Sequence, residues 1–178
     1  NLKWQPEYRD STLALYRELT ARHWDADLVV WPETALPGIY EELGDYLDQL
    51  DGEARLNRTD LLIGVPSVQP FPRKVFNSVI SLGTRRAIYH KHHLVPFGEY
   101  LPLKPVFQPL VDLFGLPVSS FDRGADDVDV LEVVGQPVGV SICYEVTFGA
   151  DIIKALPHAT LLVNVSNDAW FGDSKAPH

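Results

Sequence analysis

A chain of 178 residues, 46% hydrophobic and 22% charged, is long enough to bury one core and falls in the size range of a single domain. Its 15 Lys and Arg against 24 Asp and Glu leave a net charge of −9, which excludes wholesale binding to a nucleic-acid backbone. One cysteine excludes an internal disulfide framework and a Cys-rich zinc site, and no apolar run approaches the ~18 residues needed to cross a bilayer.

Pro6 suits a first helical turn, and Leu13, Tyr16 and Leu19 recur at helical spacing, so a helix is expected before Trp24. Residues 27–31 form a short β-branched apolar run stopped by Pro32, the pattern of a buried strand. Leu43, Leu47 and Leu50 place an amphipathic helix over 41–51. Strands are expected at 61–65, 76–82 and 87–90. A proline-rich apolar stretch over 96–117 follows, with a short helix near 106–114. Strands at 128–134 and 138–142, a helix near 148–156 and a strand at 161–165 complete the chain. Helical patterns flanking apolar strands predict an α/β fold with a sheet covered on its faces. With no methionine, the chain is expected to be a processed or excised piece.

Functional groups in such folds collect where strands finish. Here Glu33 follows the first strand, Cys143-Tyr144-Glu145 follows 138–142, and Ser166-Asn167-Asp168-Ala169-Trp170-Phe171 follows 161–165. Cys143 is the candidate nucleophile, a role that needs a neighbouring base or cation. Strand alternation places it on one face with Gly139 and Ser141, two small residues expected to leave room above the sulfur. A lone cysteine also serves as a buried filler. A partly desolvated Glu33 can exchange protons near neutrality; otherwise it is an ordinary loop carboxylate. Lys91 can hold an oxyanion, or belong to an exposed basic patch with Arg85 and Arg86. His90, His92, His93 and His178 suggest a metal only at first sight, since neighbours on a strand point to opposite faces; no metal site and no cofactor are expected. A Cys–His dyad using His92 or His93 is open, without local support.

The run Trp31-Pro32-Glu33-Thr34-Ala35, the segment from Tyr89 through Lys91 to Pro96-Phe97-Gly98-Glu99-Tyr100, the word Ile142-Cys143-Tyr144-Glu145, and Ser166 to Gly172 occur in that order. Together they resemble the Glu-Lys-Cys triad and surrounding words of the nitrilase (carbon–nitrogen hydrolase) superfamily, in its apolipoprotein N-acyltransferase branch, over essentially the whole chain. The resemblance implies an αββα sandwich, incomplete at its C-terminus, with residues 1–178 a piece of a longer membrane protein. It implies a domain on the periplasmic side of the bacterial inner membrane, attached through flanking transmembrane helices. It implies Cys143 as nucleophile, Glu33 as general base and acid, and Lys91 as oxyanion stabiliser. Glu99 would be a second carboxylate, orienting Lys91 or helping deprotonate an amine. Tyr144 and Glu145 would shape the pocket, and Trp4 would sit on a mobile arm. The implied chemistry moves an acyl chain from a phospholipid, through a thioester, to the α-amino group of a diacylglyceryl-apolipoprotein. The apolar stretch at 96–117 would then be a lip facing lipid, where otherwise it reads as core. Two other readings remain: a soluble amidase or carbamoylase with water as acceptor, and a non-catalytic scaffold.

Overall fold

The computed structural model describes residues 5–103, 120–125 and 130–168. Trp4, the expected helix at 106–114 and the Ala169–Gly172 end of the last motif lie outside the described residues.

Helix α1 spans Pro6–Ala21, with proline in its first turn where the missing N–H interrupts nothing. Its Tyr16 stacks on Trp31 with ring centroids 4.7 Å apart. Strand β1 (Leu28–Val30) and a 3₁₀ turn (Tyr40–Glu42) lead to α2 (Gly44–Asn57), which buries Leu47, Leu50 and Ala54. The helix begins later than the apolar spacing suggests because Leu43 is non-helical (ψ 15°) and caps it. It runs on to Asn57, where Arg58 turns left-handed at φ 60°.

Strands β2 (Asp60–Gln69), β3 (Lys74–Leu82) and β4 (Ala87–His90) join β1 in a sheet of order β1-β2-β3-β4. Strand β1 is parallel to β2 and the other pairs are antiparallel. Strand β2 extends past the expected 61–65 because its register with β3 continues to Gln69↔Lys74. Pro66 is tolerated there: β1 pairs only as far as Leu62, so the missing N–H falls on an unpartnered side. The second sheet contains β5 (Val130–Val133), β6 (Gln136–Ile142) and β7 (Leu161–Val165), with β5 antiparallel and β7 parallel to β6. A 3₁₀ turn (Cys143–Thr147) and α3 (Gly149–Ala155) connect β6 to β7.

Side-chain alternation along β2 builds two cores at once. Leu61, Ile63 and Val65 face α2 with Leu47, Leu50 and Ala54, while Leu62 faces the second sheet with Val79, Tyr89, Val138, Val140 and Ile142. Each such aliphatic side chain stabilises the fold by roughly 1.5–3 kcal/mol over an exposed one. The layers therefore run α1 and α2, first sheet, second sheet, α3. Among the described residues β1 and β7 are the outer strands of their sheets, and Val30 (42%), Leu161 and Leu162 are exposed. An apolar run does not report which neighbour covers it.

Candidate active site

Glu33 is delivered by the turn after β1. That turn lies directly on β2: Trp31 N–H donates to Leu62 O and Ala35 N–H to Gly64 O, both at 2.8 Å. A Cβ on Gly64 would lie 2.2 Å from Pro32 O and 2.7 Å from Glu33 Cα, so only glycine lets the turn approach this closely. Lys91 follows β4, its backbone clamped from both sides by Lys91 N–H to Asn77 O and Gly124 N–H to Lys91 O, each 2.8 Å. Its side chain is 1% exposed, which removes it from any basic patch; Arg85 and Arg86 instead pair with Glu132 and Asp48.

The Lys91 ammonium lies 2.8 Å from Glu99 Oε2 and 3.7 Å from Glu33 Oε1. Glu99 also accepts from Val95 N–H at 2.9 Å. Between the two carboxylates sits Asn77 of β3, whose Nδ2 donates to Glu33 Oε1 at 2.6 Å and to Glu99 Oε1 at 2.9 Å. The opposite amide orientation would aim an oxygen at both carboxylates, so these neighbours decide it. Its Oδ1 is buried with no partner among the described residues. Asn77 was not singled out from sequence, although a signal existed: an amide inside the apolar run of residues 75–80 must find partners once buried.

Cys143 comes from the other sheet. It begins the 3₁₀ turn after β6 at φ 53°, a left-handed conformation uncommon for a residue with a Cβ. The strand alternation that would align it with Gly139 and Ser141 therefore ends at Ile142. Those two small residues face α3, not the space above the sulfur: a Cβ on Gly139 would meet Ala155 and Leu162. A cavity of about 570 Å³ lies on that outer face, bordered by Ser141, Asn164, Ile152 and Ala155, and none of Glu33, Lys91 or Cys143 lines it. Asn164 of β7 secures the nucleophile's backbone by donating from Nδ2 to Ser141 Oγ (2.9 Å) and Cys143 O (3.3 Å).

Glu145 borders the cavity and also joins the two sheets. Buried, it accepts four hydrogen bonds: from Tyr89 Oη, His92 N–H and His93 N–H on the lysine side, and from Ile142 N–H on the nucleophile side, over 2.6–3.0 Å. Tyr144, 40% exposed, stands beside the nucleophile with its ring edge on Phe148. Among the histidines, His90 Nδ1 bonds Ser78 Oγ, and His93 pairs with Asp151 and stacks on Phe148.

The electrostatics divide cleanly. Burial pushes the Glu33 carboxyl above its ordinary range; Lys91, Asn77 and the Asn167 N–H pull it back, and Glu99 adds to the rise. Burial likewise raises the Cys143 thiol, with the Glu33 charge adding to it and Lys91 and the Tyr144 N–H opposing. A thiol whose ionisation burial opposes, within reach of the charges of a desolvated carboxylate and a buried ammonium, is equipped for attack with concerted proton removal.

Two sheets behind helices, with a carboxylate, an ammonium and a thiol converging between their strand ends, define a carbon–nitrogen hydrolase type of domain. The chain belongs to the carbon-nitrogen hydrolase family, whose profile it matches over residues 3–178. Among curated proteins it is 44% identical to the apolipoprotein N-acyltransferase of Methylococcus capsulatus and 48% identical to that of Nitrosomonas europaea. Each comparison covers 99% of this chain but only 35% and 36% of the relative, so the chain spans about a third of their length. Among solved structures it resembles a cysteine-to-alanine variant of a Nesterenkonia amidase from the nitrilase superfamily (TM-score 0.60, 20% identity, 89% of this chain and 59% of that one). It also resembles a carbon-nitrogen hydrolase from Helicobacter pylori (TM-score 0.59, 17% identity, 90% and 54%).

Proposed function

We infer that this chain carries the catalytic centre of an apolipoprotein N-acyltransferase, built on a nitrilase-type αββα sandwich. It transfers a fatty acyl chain from a phospholipid to the α-amino group of an N-terminal diacylglyceryl-cysteine. The observation that carries the reading is the Lys91 ammonium, buried between the Glu33 and Glu99 carboxylates, with Cys143 close enough for the Glu33 and Lys91 charges to act on its thiol. The relatives' identities, 44% and 48%, supply the substrate class.

In the first half-reaction Cys143 Sγ attacks the ester carbonyl of the phospholipid as Glu33 takes the thiol proton. Lys91 and the Tyr144 N–H hold the tetrahedral oxyanion. The carbon–oxygen bond then breaks, Glu33 returns the proton to the departing lysophospholipid alkoxide, and an acyl thioester remains on Cys143. In the second half the lipoprotein amine attacks the thioester carbonyl, Glu33 accepts the amine's proton and passes it to the released thiolate, and an amide is left. Glu99, with both oxygens within 2.9 Å of Lys91 Nζ, orients the ammonium rather than deprotonating the amine. No helix among the described residues is long and apolar enough to cross a membrane. The reaction is placed on the periplasmic side of the bacterial inner membrane, with attachment through spanning helices outside this chain.

Incubation with phospholipid vesicles followed by intact-mass measurement tests the reading. An acyl increment is expected on the wild-type chain, absent in Cys143→Ala and discharged by a diacylglyceryl-cysteine peptide. An increment persisting in Cys143→Ala, or ammonia release from small amides with no increment from lipid, would overturn it.

A further inference from the structure

The β2–β3 hairpin contributes Asn77 to the site, and its tip is unlike the rest of the two strands. From Leu61 to Val65 and from Phe76 to Leu82 every residue is buried, whereas Phe71 at the tip is 88% exposed. It lies between Pro70 and Pro72, and Gln69 Nε2 donates to Phe71 O at 3.1 Å, so the tip holds its own turn. Arg73 and Lys74 follow at once, and neither forms an ion pair with another described residue. On a chain of net charge −9 this puts two cations beside an aromatic point, the nearest carboxylates along the strands being Glu41 on the Val68 N–H and Asp122 on the Val75 N–H.

Its position matters as much as its chemistry. Asn77, which bridges the two site carboxylates, pairs with Pro66, and the hairpin closes three rungs further on at Gln69↔Lys74. The tip thus overhangs the site's end of the sheet, starting about 10 Å beyond that rung. The hairpin base is also tied to the loop after Lys91. Val75 N–H donates to Asp122 Oδ2, Asp122 N–H to Val75 O, and Phe121 N–H to Glu99 O. That loop presents Phe97 and Leu103, the latter 71% exposed, on the same end.

We propose that the hairpin tip, residues 70–74, docks the domain on the anionic surface of a phospholipid bilayer. Phe71 seats at the level of the headgroups and Arg73 and Lys74 lie against lipid phosphates. An aromatic point beside unpaired cations matches that surface in polarity and in charge, and docking there would turn the site's end of the sheet toward the acyl donor. The donor's identity rests on the function proposed above; the docking itself does not require the transfer chemistry.

Vesicle co-sedimentation of the 178-residue chain tests it, using phosphatidylglycerol/phosphatidylethanolamine vesicles against phosphatidylcholine alone. Binding is expected to favour the anionic vesicles. Phe71→Ser should weaken it about tenfold, and Arg73→Glu with Lys74→Glu by more than tenfold. Phe71 and Arg73 are exposed and Lys74 is half-buried at the start of β3, so each variant is expected to keep the wild-type circular-dichroism spectrum. Leu56, 86% exposed near the other end of β2, is the control for indiscriminate stickiness, and Leu56→Ser should leave binding unchanged. Equal sedimentation of wild type, Phe71→Ser and the charge-reversed variant, or no preference for anionic vesicles, would overturn the proposal. Cys143→Ala should bind vesicles like wild type while gaining no acyl increment. Hairpin-dependent binding with no increment in the wild type would sink the transferase reading alone, and an increment with hairpin-independent binding would sink the docking alone.

Discussion

The two sheets make unequal contributions to one site. The first supplies Glu33, Asn77 and Lys91, with Glu99 from the loop that follows, and is buried on both faces, by the helices on one side and the second sheet on the other. The second supplies Cys143 with the Tyr144 and Asn167 N–H groups, and among the described residues its outer strand leaves Leu161 and Leu162 exposed. The two carboxylates and the ammonium therefore rest on one sheet, and the thiol on the other. Polar contacts cross between them near the site at Glu145, which accepts from Tyr89, His92 and His93, at the Asn167 N–H to Glu33 Oε2 (3.0 Å) and at His93 with Asp151, and further off at the Val134 N–H to Asp60 and at Arg85 with Glu132. A site assembled across a seam depends on the seam as well as on its own members.

Removing the base within the first sheet has the largest expected effect. Glu33→Gln should slow formation of the acyl increment by about 10²–10⁴-fold in single-turnover measurements. In the wild type the same group sets the acid limb. Because burial raises the carboxyl, the reactive ionised form is lost as pH falls through a value above the ordinary carboxylate range, and the rate should decline there. A limb at the ordinary glutamate value would show that Glu33 is solvated in the working enzyme.

Cutting the seam comes next. Glu145→Ala strands two backbone N–H groups of the lysine turn, the Ile142 N–H and the Tyr89 hydroxyl. A loss of about 3–5 kcal/mol in denaturant-measured stability is expected. If instead Glu145→Ala keeps full stability and loses only substrate affinity, the residue shapes the pocket and does not join the sheets.

Gly64→Ala probes the first sheet without touching a reactive group. The added methyl meets Pro32 O and the Glu33 backbone, so about 1–3 kcal/mol of stability should go, with slower acylation because Glu33 moves. The smallest effect belongs to the surface pair linking β4's entry to β5: with Arg85 and Glu132 both exposed, Arg85→Ala should change the melting midpoint by the equivalent of under about 1 kcal/mol.

Much of this arrangement was legible from the amino-acid order, and what was not shares one cause. Every expected strand at 27–31, 61–65, 76–82, 87–90, 138–142 and 161–165 overlaps an observed one, because apolar β-branched runs between prolines and glycines have few other local solutions. The positions of Glu33, Lys91 and Cys143 just past strand ends followed from the same runs. Asn77 was passed over because its partners are 44 and 22 residues away. The hydrogen bonds of Glu145 across the two sheets are not legible in sequence because three of its four donors come from more than 50 residues upstream.

Local order thus determined the strands, the helices and the reactive side chains at their ends, since those depend on periodicity and on chemistry carried by single residues. Tertiary structure alone decided that Cys143 leaves its strand in a left-handed turn, and that one amide and one carboxylate tie the centre together. Such features are set by which backbones approach each other in space, and a hydrogen bond or a desolvated charge exists only after they have done so.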